Sequence, residues 1–100
     1  DGMLIGEVIG NIWATRKEEG LEGLKFMVVR QLDSDMRPCG AMEFVAADAI
    51  GAGVGERVLI VQGSTARKAL GKENVPVDAV IVGIIDSLEV EKVLQSGKEE

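Results

Sequence analysis

The chain is 100 residues long, 46% hydrophobic and glycine-rich, with a formal net charge of −6; this leaves room for one domain with one modest core and no linker. The acidic balance lacks the basic footprint that nucleic acid and anionic lipid surfaces require, and no apolar run is long enough to span a bilayer. With no histidine and a single cysteine, Cys39, neither an internal disulfide nor an imidazole or thiolate zinc site can be assembled, and a reducing, cytoplasmic setting is expected.

Met3 reads as the natural start, with Asp1 and Gly2 a remnant ahead of it and no secretory leader. From Met3 to Trp13 the even positions are Leu4, Gly6, Val8, Gly10 and Ile12, a period of two that sets aliphatic side chains on one face and glycines where a barrel strand must bend. Lys25 to Leu32 alternates less cleanly around Phe26-Met27-Val28-Val29. Asp33-Ser34-Asp35 then supplies a turn, and Met42 to Ala47 resumes a strand pattern. Arg57 to Gln62 encloses Val58-Leu59-Ile60-Val61, a fourth strand. Ser64 is expected to cap a short helix over Thr65 to Leu70, with Gly71 as the left-handed residue that ends it. The fifth strand is Ala79 to Asp86. The expected fold class is all-β, a small five-stranded OB-like β-barrel over residues 3–90, with one short helix between strands four and five where such barrels usually place it between three and four. Glu91 to Gln95 carries a trace of helical pattern, and residues 91–100 form the C-terminal tail.

Little in the chain points to chemistry. Asp33 and Asp35 could share a hard cation, but a calcium loop needs further oxygen ligands at defined spacing, and Met36, Arg37 and Pro38 supply none from their side chains, so the pair reads as a solvated turn. Ser64 and Lys68 stand four apart, the spacing of a Ser-Lys dyad, but capping and solvent exposure account for both. The cluster Gly51-Ala52-Gly53-Val54-Gly55 is followed by a strand rather than by the helix that a phosphate-binding loop needs, so it reads as a tight connection. No catalytic, cofactor-binding or metal residue is assigned. Trp13, Phe26 and Phe44 are the only aromatics, too few for the stacking platforms of a single-stranded nucleic-acid binder, which is nevertheless the alternative for a small OB-like barrel.

Ala79-Val80-Ile81-Val82-Gly83-Ile84-Ile85 contains no polar residue. A strand of that kind needs cover on both faces, and in so short a chain a neighbouring subunit is the expected cover for one of them. Trp13, Val75, Pro76, Val77, Val80 and Val82 are the candidate subunit interface, apolar anchors with a rigid proline-containing approach to the last strand.

Several blocks resemble a known family. Met3-Leu4-Ile5-Gly6-Glu7-Val8-Ile9-Gly10-Asn11-Ile12-Trp13-Ala14-Thr15-Arg16-Lys17 and Leu21-Glu22-Gly23-Leu24-Lys25-Phe26-Met27-Val28-Val29 look like the opening of the pentameric vertex proteins of bacterial microcompartments, the EutN/CcmL family. Ala47-Asp48-Ala49-Ile50-Gly51-Ala52-Gly53-Val54-Gly55-Glu56, Gly63-Ser64-Thr65-Ala66-Arg67 and Pro76-Val77-Asp78-Ala79-Val80-Ile81-Val82-Gly83-Ile84-Ile85-Asp86 agree with it in order and spacing. The resemblance implies a shell protein without catalytic activity or cofactor, a small barrel that assembles as a homopentamer and caps the vertices of a polyhedral shell. Its expected partners are copies of itself and hexameric facet proteins, with neither nucleic acid nor membrane. The resemblance further implies that Gly63, Ser64 and Thr65 line the opening on the five-fold axis. At Thr65 the family often has serine or alanine, a conservative departure.

Overall fold

The computed structural model describes residues 2–13, 23–40, 42–71 and 77–86. The expected helical trace after Val90 and the C-terminal tail lie outside the described residues, as do Val75 and Pro76. Five strands and one helix follow in the order β1 (Met3–Ile12), β2 (Lys25–Leu32), β3 (Phe44–Asp48), β4 (Arg57–Gln62), α1 (Ser64–Leu70) and β5 (Ala79–Ile84). The strands close into a barrel in the order β1-β2-β3-β5-β4, with β4 returning to β1. All neighbouring pairs are antiparallel except β3 and β5, which run parallel and meet only at Ala47↔Val80 and Asp48↔Ile81.

β1 carries the closure. Over Ile5 to Glu7 it pairs with β2 on one edge and β4 on the other. The register with β2 then slips between Val8 and Gly10, one extra residue of the kind that sharpens strand twist. Beyond the slip, Gly10, Asn11 and Ile12 pair with β2 and with no other strand among the described residues, so this end of β1 is one strand of a two-stranded arm.

The period of two divides the apolar residues between two cores. Val8, Met27, Val29, Ala46, Val58, Ile60 and Ile81 point into the barrel. Their chain neighbours Ala47, Val61 and Val80 point outward, where Ala66 of α1 and Val77 close over them. Each fully buried aliphatic side chain contributes about 1.5–3 kcal/mol of transfer free energy, so both clusters matter to a domain this small. Gly6 allows the barrel to close tightly: a Cβ built there would lie 2.5 Å from Val29 Cγ1, 2.8 Å from Ile60 Cδ1 and 3.2 Å from the Arg30 carbonyl oxygen.

Several sequence expectations change, among them the end of the fifth strand, which stops at Ile84 rather than running to Asp86. Ser64 is the first helical residue and not the cap: Gly63 holds the N-cap position at φ 66° and ψ −143° with no side-chain cap bond, a conformation that needs the absence of a Cβ. The third strand begins at Phe44 and extends to Asp48 rather than running from Met42 to Ala47. The last strand does not wait for a neighbouring subunit to bury its second face over its first half, because Val80 and Ile81 are both fully buried within the single chain, Val80 under α1 and Ile81 inside the barrel. The expected left-handed residue at Gly71 is present, with φ 71°.

Candidate assembly surfaces

The segment that begins α1 is pinned from the backbone. Gly63 N–H donates to the Asp78 carbonyl at 2.8 Å, and the Gly63 carbonyl accepts from Ala66 N–H at 3.0 Å and from Arg67 N–H at 3.4 Å. The Arg67 guanidinium reaches the Val77 carbonyl at 3.5 Å. These contacts tie the start of α1 to the approach of β5 and leave Ser64 and Thr65 exposed. The three candidate opening residues are therefore contiguous, with two side chains directed to solvent. Lys68 is exposed on the same short helix.

The candidate interface residues divide into two places. Val77 and Val80 are buried under α1, and Val82, half-buried, packs against the same cluster. Within the single chain Val77 and Val80 help to seat the helix. Trp13 lies elsewhere, directly after the end of β1, with 86% of its surface exposed.

Trp13 borders a groove of about 390 Å³ between the arm and the connection that follows β3, with Ile12, Lys25, Met27, Ala52 and Val54 among its lining. The connection is held by two carboxylates. Asp48 Oδ1 accepts from Ile50 N–H at 3.0 Å and Gly51 N–H at 2.9 Å, and Glu56 Oε1 accepts from Gly53 N–H at 2.6 Å. Backbone bonds between Gly55 N–H and the Val8 carbonyl, and between Val8 N–H and the Glu56 carbonyl, fasten it to β1. The glycine cluster is thus the tight connection expected, leading into β4. Val54, between two glycines at its tip, is 58% exposed. The sequence marks Val54 only as part of the glycine cluster, although an aliphatic residue flanked by glycines in a loop is a signal of exposed apolar surface. Asp48 was missed too: it is nine-tenths buried, and Oδ2 has no hydrogen-bond partner.

A second hollow, of about 570 Å³, lies against Arg30, Pro38, Cys39, Gly40, Met42 and Glu43. It is crossed by an exposed Arg30–Glu43 ion pair at 3.8 Å. Asp33 Oδ1 accepts from Asp35 N–H at 2.8 Å and Arg37 N–H at 3.0 Å, which is a self-capped turn. Among the described residues no three acidic or cysteine side chains gather as a metal would require.

Comparison with known proteins agrees with this architecture. The family described as "Ethanolamine utilisation protein EutN/carboxysome" matches residues 3–86. The chain is 44% identical over 89 residues to the carboxysome shell vertex protein CcmL of Gloeobacter violaceus, covering 89% of this chain and 88% of that protein. The solved structure of that CcmL superposes with a TM-score of 0.80 at 42% identity over 88% of this chain and 90% of its own. The bacterial microcompartment shell vertex protein GrpN of Rhodospirillum rubrum is 42% identical over 87 residues, 87% of this chain and 97% of its own length. Its structure, described as a pentameric microcompartment shell protein, gives a TM-score of 0.78 at 39% identity over 88% and 99% of the two chains. EutN of Salmonella typhimurium, also a microcompartment shell vertex protein, is 42% identical over 86 residues and 86% of each chain. A match across every strand and the helix, at identities far above those that show fold alone, places the chain in the EutN/CcmL family of shell vertex proteins.

Proposed function

We propose that this chain is a structural subunit of a bacterial microcompartment shell, and that five copies close into a ring occupying a shell vertex. The observation that carries the reading is the match to shell vertex proteins over nearly the full length of both chains, including the β4–α1–β5 unit. The role is structural: the chain offers exposed apolar residues for contact and performs no chemistry. Self-association by a heterologous contact closes into a ring when the rotation permits, and a closed ring protects strand edges from open-ended pairing.

Within this reading, hexameric facet proteins surround the ring. Gly63, Ser64 and Thr65 face the five-fold axis, supported by the exposure of Ser64 and Thr65 at the start of α1. Trp13 and Val82 meet the neighbouring copy directly, together with Val75 and Pro76, while Val77 and Val80 hold α1 and β5 in place for that contact.

Light scattering of the purified full chain tests the ring: a mass five times the 10.6 kDa of one chain is expected, and a stable monomer at micromolar concentration overturns it. Co-purification with facet proteins tests the place in the shell. Replacing Ser64 with phenylalanine should narrow the axial opening in images of the ring; an unchanged opening places another segment at the axis.

A further inference from the structure

Resting on the ring reading, we infer that the groove beside Trp13 is one half of the subunit contact, and that a second copy of this chain fills it. Three observations converge there. Trp13 is the chain's single tryptophan, and it is almost wholly exposed on a groove that Val54, also exposed, helps to line. Large aromatic side chains at the edge of an apolar cleft are the usual anchors of protein contacts. The lining beneath them is mostly apolar, with Ile12, Met27 and Ala52 in its wall.

The second observation concerns the backbone. Beyond the register slip, β1 pairs with β2 on one edge only, and the last bonds on its other edge are those between Val8 and the Gly55–Glu56 segment. From Gly10 to Ile12, no described residue pairs with that edge. An unpaired edge beside an apolar groove is a template for another chain. A heterologous contact uses it once per subunit and then closes.

The third observation is charge. Among the described residues, Lys25 is the only charged side chain on the groove's lining, so a carboxylate on the arriving surface would find a partner there. A copy of this chain, at net −6, is rich in such groups. The second hollow is less suited to the role, because its Arg30 is already engaged by Glu43.

The lone tryptophan makes the test direct. The full chain and its Val54→Glu and Met42→Glu variants are compared by sedimentation and by Trp13 emission and quenching across a dilution series, with circular dichroism confirming that each is folded. Met42 is also exposed but lines the other hollow. Assembly of the unmodified chain should shift Trp13 emission to the blue and shield it from quencher. Val54→Glu should require at least about tenfold more protein to assemble, whereas Met42→Glu should assemble as the unmodified chain does. A pentamer whose Trp13 stays solvated overturns the placement and leaves the ring reading intact. Equal weakening by both variants also overturns it, since added charge rather than location would then be responsible. Shielding of Trp13 only when a different polypeptide is present overturns it as well. A chain that remains monomeric throughout overturns the ring reading itself.

Discussion

Gly6 and Asp48 show how closely single side chains are specified in this barrel. Val29 is β-branched and fully buried in the interior, so it cannot swing away from a Cβ at Gly6, and the Arg30 carbonyl behind it is fixed by the β1–β2 ladder. Gly6→Ala should destabilise the fold by about 1–3 kcal/mol through overpacking. Thermal melts at fixed protein concentration should register this as a drop of roughly 4–8 °C per kcal/mol, and an unchanged melting temperature would mean that β1 can move outward freely. Asp48 is argued from hydrogen bonds instead. Its Oδ1 receives two backbone N–H groups of the connection that carries Val54, while Oδ2 is buried without a partner. Asp48→Ala removes both bonds and should cost about 1–2 kcal/mol. Asp48→Asn retains the oxygen that accepts them and should cost less. Denaturant midpoints of the two variants compare the effects, and a larger loss for asparagine would show that the environment of Oδ2 matters more than the caps.

The β4–α1–β5 unit shows what could be read in advance and what could not. Both limits of β2 and β4 were legible, since each run of aliphatic residues is bounded by polar ones, and so were the position of the helix and its C-terminal glycine. The N-cap was misread because serine has the side chain for the position, whereas the turn between Gln62 and Ser64 demands a positive φ, which no pattern of hydrophobicity reports. The larger error lay in β5. Its unbroken apolar run was read as covered on both faces, which holds over Ala79 to Ile81 while Ile84 is exposed, and the second face over Val80 belongs to a helix of only seven residues whose buried contact is Ala66. A small side chain permits that close approach without adding apolar length to the helix, so the sequence offered little sign of the cover. The consequence is testable. Val80→Asp places an unpaired charge between α1 and the sheet, at a cost of several kcal/mol, and should yield unfolded or insoluble protein rather than a folded monomer. A soluble, folded, monomeric variant by circular dichroism and sedimentation would return Val80 to the subunit contact.

Five copies of a chain carrying a net charge of −6 repel one another before any contact forms. This fixes the sign of the salt response. Repulsion between net charges acts over distances that salt screens, with a Debye length of about 10 Å at 0.1 M, whereas burial of groups such as Trp13 and Val54 does not weaken as salt rises. An apolar contact opposed by net charge should therefore tighten on going from low to moderate ionic strength. A contact held mainly by ion pairs should loosen. The composition of the exposed surface favours the first: Trp13, Val54, Val45, Ile50 and Ile84 are substantially exposed, and the Arg30–Glu43 pair lies within one chain. Sedimentation equilibrium in sodium chloride at about 0.02 and 0.3 M, a range over which the screening length falls several-fold, should show the ring persisting to lower protein concentration at the higher salt. The opposite trend would identify charge pairing between subunits as the main attraction and would remove the apolar groove from its central place in the contact.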